Sequence, residues 1–171
     1  LILINTFLAA SFGLLTGLGI SFAFFKKPDP YYVILGPLAG LVAITAGCNS
    51  MTSVTAIFVG IIGAVISIFV NEILNKFEID DVVGAIPVHL AAGVWGTLAV
   101  GLFSDLELLG TGLSRLEQIE VQFIGVISIG AFAFFGSYIL LKVLNYFYPL
   151  RVSPLHAVSY THLRAHETCG H

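Results

Sequence analysis

The sequence predicts an all-α protein built as a polytopic bundle of about five transmembrane helices. Two observations lead to this fold class. Of the 171 residues, 57% are hydrophobic and only 10% are charged, whereas about a quarter of the residues of a typical soluble domain are charged. The charged residues also lie close together, so long uncharged runs alternate with short polar segments. A run of about 20 apolar residues is long enough to cross a bilayer as a helix.

The first three predicted spans precede a central charged segment, NEILNKFEIDD. The run Leu1–Phe25 is uncharged and ends at two lysines and a proline. The next uncharged run, Tyr31–Asn71, is about twice as long as one span requires. We divide it at its small and polar middle, AGCNSMTS (46–53). The resulting spans lie near Tyr32–Thr45 and Thr52–Asn71, and the first of them is short enough to begin as a loop.

Two further spans follow the charged segment. The fourth covers Val82–Phe103 and the fifth about Val121–Leu141, with a continuation to Tyr148 if the helix is long. The polar stretch 104–120 connects them.

The orientation of the spans follows from their loops, since lysine and arginine favour cytoplasmic loops. With alternating loops, one side of the membrane carries Lys26, Lys27, Lys76, Lys142 and Arg151, and the other carries Arg115. We therefore expect the C-terminus to be cytoplasmic.

Small residues recur at helical spacing along these spans. The pairs are Gly13/Gly17, Gly36/Gly40 and Ala92/Gly96. In lipid, small residues allow two helix backbones to approach closely. We interpret these pairs, Gly96 included, as structural helix packing.

The net charge of −3 is small and spread out over the sequence. We therefore expect the chain to interact with the lipid bilayer and not with nucleic acid.

His89 is an ionisable residue inside the uncharged fourth span. It lies eight residues beyond Asp81, about 12 Å along a helix and well inside the hydrocarbon. Ionisable residues at this depth usually face a bundle interior or a polar path, which makes them functional candidates. The structural alternative is a histidine hydrogen-bonded to an adjacent helix. The residue alone leaves both interpretations open.

The neighbours of His89 keep its helix face small. Ala85 and Gly93 lie four residues to either side, which leaves room for a neighbouring backbone or for a narrow lumen. Pro87 removes an amide donor near the start of the helix. The carboxylates of Asp80 and Asp81 can cap the amides exposed there. We expect structural roles for Pro87 and for both aspartates.

The C-terminal residues 155–171 differ from the rest. His162 and His166 have the i, i+4 spacing of zinc ligands, but such a pair needs further ligands and a fixed geometry, so we expect no metal and no cofactor. The string VSYTHLRAHET resembles a translated sequencing adapter, so we expect 155–171 to be a non-native tail. We treat 1–154 as the transmembrane region.

The beginning of the chain is also informative. Because the chain has no initiator Met and opens within an apolar run, we interpret it as a fragment.

Four segments together resemble the Amt/Rh ammonium transporter family. The longest is FEIDDVVGAIPVHLAAGVWGTLAVGLF (77–103), with an Asp pair, a Val-His step and a G-x-x-G-T sequence. The others are INTFLAASFGLLT (4–16), GPLAGLVAITAGCNSMT (36–52) and PLRVSP (149–154). They occur in the order of the family and cover most of residues 1–154. Two departures stand near the histidine, since the family often has Asp where Gly84 stands and a small residue where Pro87 stands.

The resemblance implies the last five spans of an eleven-span homotrimeric transporter in a bacterial plasma membrane. Each protomer of such a transporter has a hydrophobic pore lined by two histidines, and His89 matches the second of them. Ammonium would cross as NH3 after losing a proton, with the histidines assisting a proton relay. An alternative is a membrane ammonium sensor joined to a signalling domain. An enzyme is not expected, since the spans contain no nucleophile–base pair and no H-E-x-x-H motif.

Overall fold

In residues 1–151, which the computed structural model describes, every regular element is a helix. The helices are α1 (Ile2–Phe25), α2 (Pro30–Thr45), α3 (Ser53–Lys76), a π-helical segment (Ile86–Ala92) that continues into α4 (Gly93–Phe103), the short α5 (Leu106–Leu109) and α6 (Arg115–Phe147). Four of them are long and apolar enough to cross a membrane, namely α1, α3, Ile86–Phe103 and α6. The fifth apolar helix, α2, has 16 residues. The predicted all-α fold class is confirmed.

The helix ends differ from the predicted spans where a cap stabilises extra turns. α2 does not begin as a loop, because Pro30 occupies its first position and the Asp29 carboxylate accepts a hydrogen bond of 2.9 Å from the Tyr31 amide. α6 begins at Arg115, six residues before the predicted start at Val121. Ser114 and Glu117 form a capping box there, with the Ser114 amide 2.8 Å from Glu117 Oε2. Hydropathy detects the apolar run but not the polar turns that precede it.

The fourth span begins later than the sequence predicts. It was predicted to begin at Val82, but the helix starts at Ile86, and the residues before it form a turn. Gly84 has a φ of +68°, a left-handed conformation that glycine adopts without a steric penalty. The apolar run therefore includes three residues, Val82, Val83 and Gly84, that lie outside the helix.

Glycine contacts join α1 and α2 closely. A Cβ atom added to Gly36 would clash with the Gly13 carbonyl, and one added to Gly40 would clash with the Ala9 carbonyl. The backbones are therefore in direct contact, as the predicted packing role of the glycine pairs requires. The buried core next to them also consists mostly of small residues, including Ala9 and Ala39.

Two contacts fix α4 against the other helices. Gly96 packs on the Ala43 carbonyl so closely that a side chain at this position would overlap it. The indole Nε1 of Trp95 donates a hydrogen bond of 3.1 Å to the Val59 carbonyl in α3. The helix that follows the π-helical segment is thereby held from two sides.

Buried polar side chains tie the helix ends together. Asn5, which is 0% exposed, donates from Nδ2 to the carbonyls of Cys48 and Met51 at 3.0 and 2.8 Å. Its Oδ1 accepts from the Ser53 hydroxyl at 2.9 Å. Because lipid offers no hydrogen bonds, these contacts stabilise the non-helical loop between α2 and α3.

A second polar cluster lies where α4 ends. The buried hydroxyls of Ser50 and Ser104 are 2.9 Å apart. Arg115 Nη1 donates to the carbonyls of Gly101 and Ser104 at 3.1 and 2.7 Å. These bonds satisfy carbonyls that the end of a helix leaves without an internal partner.

Residues 128–151 belong to a second compact unit, in which the structure describes the later part of α6. The rings of Phe134 and Tyr138 stack with their centroids 6.3 Å apart. The Lys142 ammonium lies 5.5 Å from the centroid of the Tyr138 ring. The non-native tail that the sequence predicts falls outside the described residues.

Replacing Gly36 by alanine is expected to destabilise the bundle by about 1–3 kcal/mol, since its Cβ would push two backbones apart. Gly19 in α1 is a matched control, because a Cβ there meets nothing within 4 Å. Thermal unfolding in detergent measures the effect. We expect a lower midpoint for Gly36→Ala and an unchanged or higher one for Gly19→Ala, and equal midpoints would contradict the packing described.

Candidate functional site

His89 lies in the π-helical segment, and its imidazole is exposed in this chain. The ring nitrogens of His89 form no hydrogen bond with any of residues 1–151. The adjacent Val88 is 2% exposed and packs with Tyr32, Leu35 and Ile68. The backbone is therefore fixed to the core on one side while the histidine points away from it. The bond to an adjacent helix that the structural alternative requires is not formed within the described residues.

The surface around His89 is smooth. Ala85 is exposed and Gly93 is half-buried. A Cβ added to Gly93 would lie 3.7 Å from Val42 Cγ1, an ordinary contact distance. No large side chain therefore projects from these two positions beside the imidazole.

The turn before this segment is held by Asp81. Its two carboxylate oxygens accept hydrogen bonds from the amides of Ala85 and Ile86 at 2.9 and 2.7 Å. A carboxylate there accepts hydrogen bonds from free amides and interacts favourably with the positive end of the helix dipole. Asp80 forms no such bond within the described residues and instead lines an open cavity. Of the two aspartates predicted to cap the helix, Asp81 is the one that has this geometry.

Gly84 completes the turn by leaving space for α2. A Cβ on Gly84 would lie 2.8 Å from Leu35 Cδ1 and 3.0 Å from the Tyr31 hydroxyl. The positive φ of Gly84 and this close approach both favour glycine. An aspartate at this position would require Leu35 and Tyr31 to move.

The segment is also bonded to α3. The hydroxyl of Ser67 donates to the carbonyl oxygen of Pro87 at 2.7 Å, and both residues are buried. Pro87 itself has no amide hydrogen to contribute to the helix. The residue predicted to have a structural role therefore receives its hydrogen bond from a neighbouring helix.

A polar network beside the cavity was not predicted from the sequence. The hydroxyl of Tyr31 donates to Asn71 Oδ1 at 2.9 Å, and that of Tyr32 donates to Glu72 Oε1. Asn71 Nδ2 donates to the same Glu72 oxygen at 3.2 Å. The sequence signal is a pair of polar residues, Asn71 and Glu72, at the predicted end of the third span, where polar residues also mark the boundary of a span.

The open cavity next to this network has a volume of about 530 Å³ and includes Asp29, Glu78 and Asp80 in its lining. The possible metal ligands His162 and His166 lie outside the described residues. The site that the structure builds is therefore a histidine on a π-helical turn, with an acidic cavity near the turn that precedes it.

Replacing Asp81 by alanine is expected to cost about 1–2 kcal/mol of stability, because two amides lose their acceptor. Asp80→Ala removes the same charge from the adjacent position and serves as the control. Thermal unfolding of the two variants, measured side by side, gives the comparison. An equal loss in both would mean that charge, rather than capping, is responsible.

Comparison with known proteins identifies relatives along nearly the whole chain. The model of the Ammonium Transporter Family matches residues 1–170. A Synechocystis protein whose name assigns it provisionally to the ammonium transporters is 40% identical over 153 residues, 90% of this chain and 28% of that protein. The ammonium transporter Amt2 of Archaeoglobus fulgidus is 38% identical over 160 residues, 88% of this chain and 34% of that protein.

Solved structures give the same result. A protein described as a sensor Amt protein aligns with a TM-score of 0.83 and 35% identity, over 90% of this chain and 38% of that one. Mep2 of Saccharomyces cerevisiae has the same fold, with a TM-score of 0.80 and 23% identity, over 90% of this chain and 37% of that one. The chain thus spans between about a quarter and two fifths of the length of these relatives. With a family model that covers residues 1–170 and several apolar helices of membrane-spanning length, this chain is an integral membrane protein that belongs to the ammonium transporter family.

Proposed function

We propose that this chain forms part of an ammonium transporter, with His89 in the wall of a hydrophobic pore. The observation that carries the proposal is the placement of His89. It is the histidine of the fourth apolar segment, and its imidazole points away from the packed core. Membership of the family and relatives named for ammonium transport support the same function.

A narrow apolar pore would select ammonium by its chemistry. Moving a small bare cation from water into a low-dielectric medium has an idealised cost of about 20 kcal/mol. Ammonium can avoid this cost by releasing a proton and crossing as NH3, whereas K⁺, which is similar in size, cannot. A neutral imidazole donates from one ring nitrogen and accepts at the other. His89 could therefore bind NH3 and pass a proton along a separate route.

The residues beside His89 suit a lumen of this kind. Ala85 and Gly93 leave the surface next to the imidazole free of large side chains. Small apolar residues would leave room for a path beside the imidazole without adding charge to it. Asp81 and Pro87 act on the backbone, since one caps the turn and the other accepts the bond from Ser67.

We further propose that the complete protein contains eleven spans and that this chain supplies the last five. The relatives are roughly three times as long as the region that they share with this chain. The missing spans would cover the exposed side of His89 and contribute the first pore histidine. We expect a homotrimer in a bacterial plasma membrane, with the lysine-rich loops and the C-terminus in the cytoplasm.

A sensor is the second candidate. It is supported by the structural match to a sensor Amt protein, at 35% identity and a TM-score of 0.83. The complete reading frame distinguishes the two, because a sensor would continue into a cytoplasmic signalling domain. A transporter would give ammonium-dependent currents in a membrane, and a protein with the signalling domain and no current would favour the sensor.

The variant His89→Ala in the complete protein is expected to lose ammonium transport or to lose its selectivity over K⁺ by about tenfold or more, the effect of about 1.4 kcal/mol. Currents in oocytes or proteoliposomes measure both quantities. Leu90→Ala is the control, because it truncates an exposed side chain of the same turn without removing a ring nitrogen.

Unchanged ammonium-specific currents in His89→Ala would contradict the proposal. If His89 only packed against another helix, the variant would instead show reduced membrane abundance or trimer stability while the remaining protein kept its selectivity.

A further inference from the structure

The contact between Ser67 and Pro87 connects α3 to the turn that carries His89. Ser67 is 0% exposed, and its hydroxyl lies 2.7 Å from the Pro87 carbonyl oxygen. Pro87 stands two residues before His89 in the chain, near the start of the π-helical segment. A buried hydroxyl from one helix therefore bonds directly to the backbone that places the imidazole.

The π-helical winding of this segment is a reason to expect that the bond from Ser67 affects the backbone conformation. A π-helical turn joins residues five apart, where an α-helix joins residues four apart, and it is rare except as a single turn within an α-helix. At membrane depth there is no water to stabilise a backbone group that the helix itself does not bond. The hydroxyl of Ser67 adds a donor from outside the helix and thus stabilises the Pro87 carbonyl in the position that it has in this winding.

The winding also sets the direction of the imidazole. A π-turn contains more residues than an α-turn, so conversion to regular α-winding would rotate the side chains of Ile86–Ala92 relative to those of α4. α4 itself is fixed by the bond from Trp95 to Val59 and by the close contact of Gly96. Because α4 is fixed, the rotation would change the direction of the His89 side chain.

We propose that Ser67 is a positioning residue, whose hydroxyl holds the π-helical turn and thereby aims His89. This rests on the proposed role of His89 in the pore. Ser67 does not line the path in this arrangement, since it is fully buried in the helix bundle. It acts on selectivity through the backbone of Pro87.

The test compares Ser67→Ala with Ser104→Ala in the complete protein. Ser104 is a matched control, because it is also 0% exposed and its hydroxyl makes one buried bond, of 2.9 Å to Ser50, in the polar cluster where α4 ends. Deleting either hydroxyl has a similar cost in stability. The first readout is the ratio of ammonium to K⁺ current at equal protein abundance, and the second is a structure of each variant in lipid.

For Ser67→Ala we expect His89 to rotate and the current ratio to fall about threefold to tenfold, the effect of one buried hydrogen bond. Ser104→Ala should change neither. An unchanged direction of His89 in Ser67→Ala, or an equal fall in the ratio in both variants, would overturn the proposal. If Ser67→Ala does not reach the membrane, Ser67→Cys, which keeps a weaker donor of similar size, should shift both readouts in the same direction.

The two readouts separate this inference from the proposed function. If the parent protein carries no ammonium current, the transport proposal fails, and the structures still decide whether Ser67 controls the turn. If the parent transports ammonium and His89 keeps its direction in Ser67→Ala, only the positioning role fails.

Discussion

Lipid supplies no hydrogen bonds, and this constraint governs the structure around His89. A regular helix satisfies its own backbone, but a turn or a proline does not. At three irregular places in the described chain, a side chain supplies the hydrogen-bond partner. Asp81 accepts from the amides of Ala85 and Ile86 at the start of the π-helical segment, and Ser67 donates to the carbonyl of Pro87. The loop between α2 and α3 is held by Asn5. The irregular backbone that sets the direction of His89 is therefore stabilised by its neighbours.

The same constraint explains why the bundle is built from small residues. Without a hydrophobic driving force between helices in lipid, association depends on close packing and on hydrogen bonds. The contact of Gly13 with Gly36 and that of Gly96 with Ala43 bring backbones together. Once the helices are this close, short side chains such as Ser67 can reach the backbone of the next helix. Close packing and polar support are thus two consequences of one arrangement.

The apolar spans could be predicted from the sequence, because they depend on local composition. The helix ends and the bond of Ser67 could not, because they depend on backbone conformation and on hydrogen-bond partners. Uncharged runs, one of them divided at its polar middle, predicted the five apolar helices of residues 1–151, because burial in lipid excludes charge over the whole length of a span. They could not show that Val82 lies outside its helix, since the left-handed Gly84 is invisible to hydropathy. The capping of α6 by Ser114 and Glu117 was missed for a similar reason. Ser67 gave no signal, because its partner, the carbonyl of Pro87, lies 20 residues away. His89 itself was recognised, as an ionisable residue in a long uncharged run is conspicuous without any structure.

We propose that the imidazole of His89 borders a narrow apolar lumen that ammonium enters only by giving up a proton. In this chain His89 is exposed. A structure of the complete protein in a lipid bilayer tests the claim most directly. We expect a continuous passage too narrow and apolar for a hydrated ion, with a ring nitrogen of His89 in its wall. A His89 ring that faces lipid, or that is enclosed by another helix with no passage beside it, would contradict the claim.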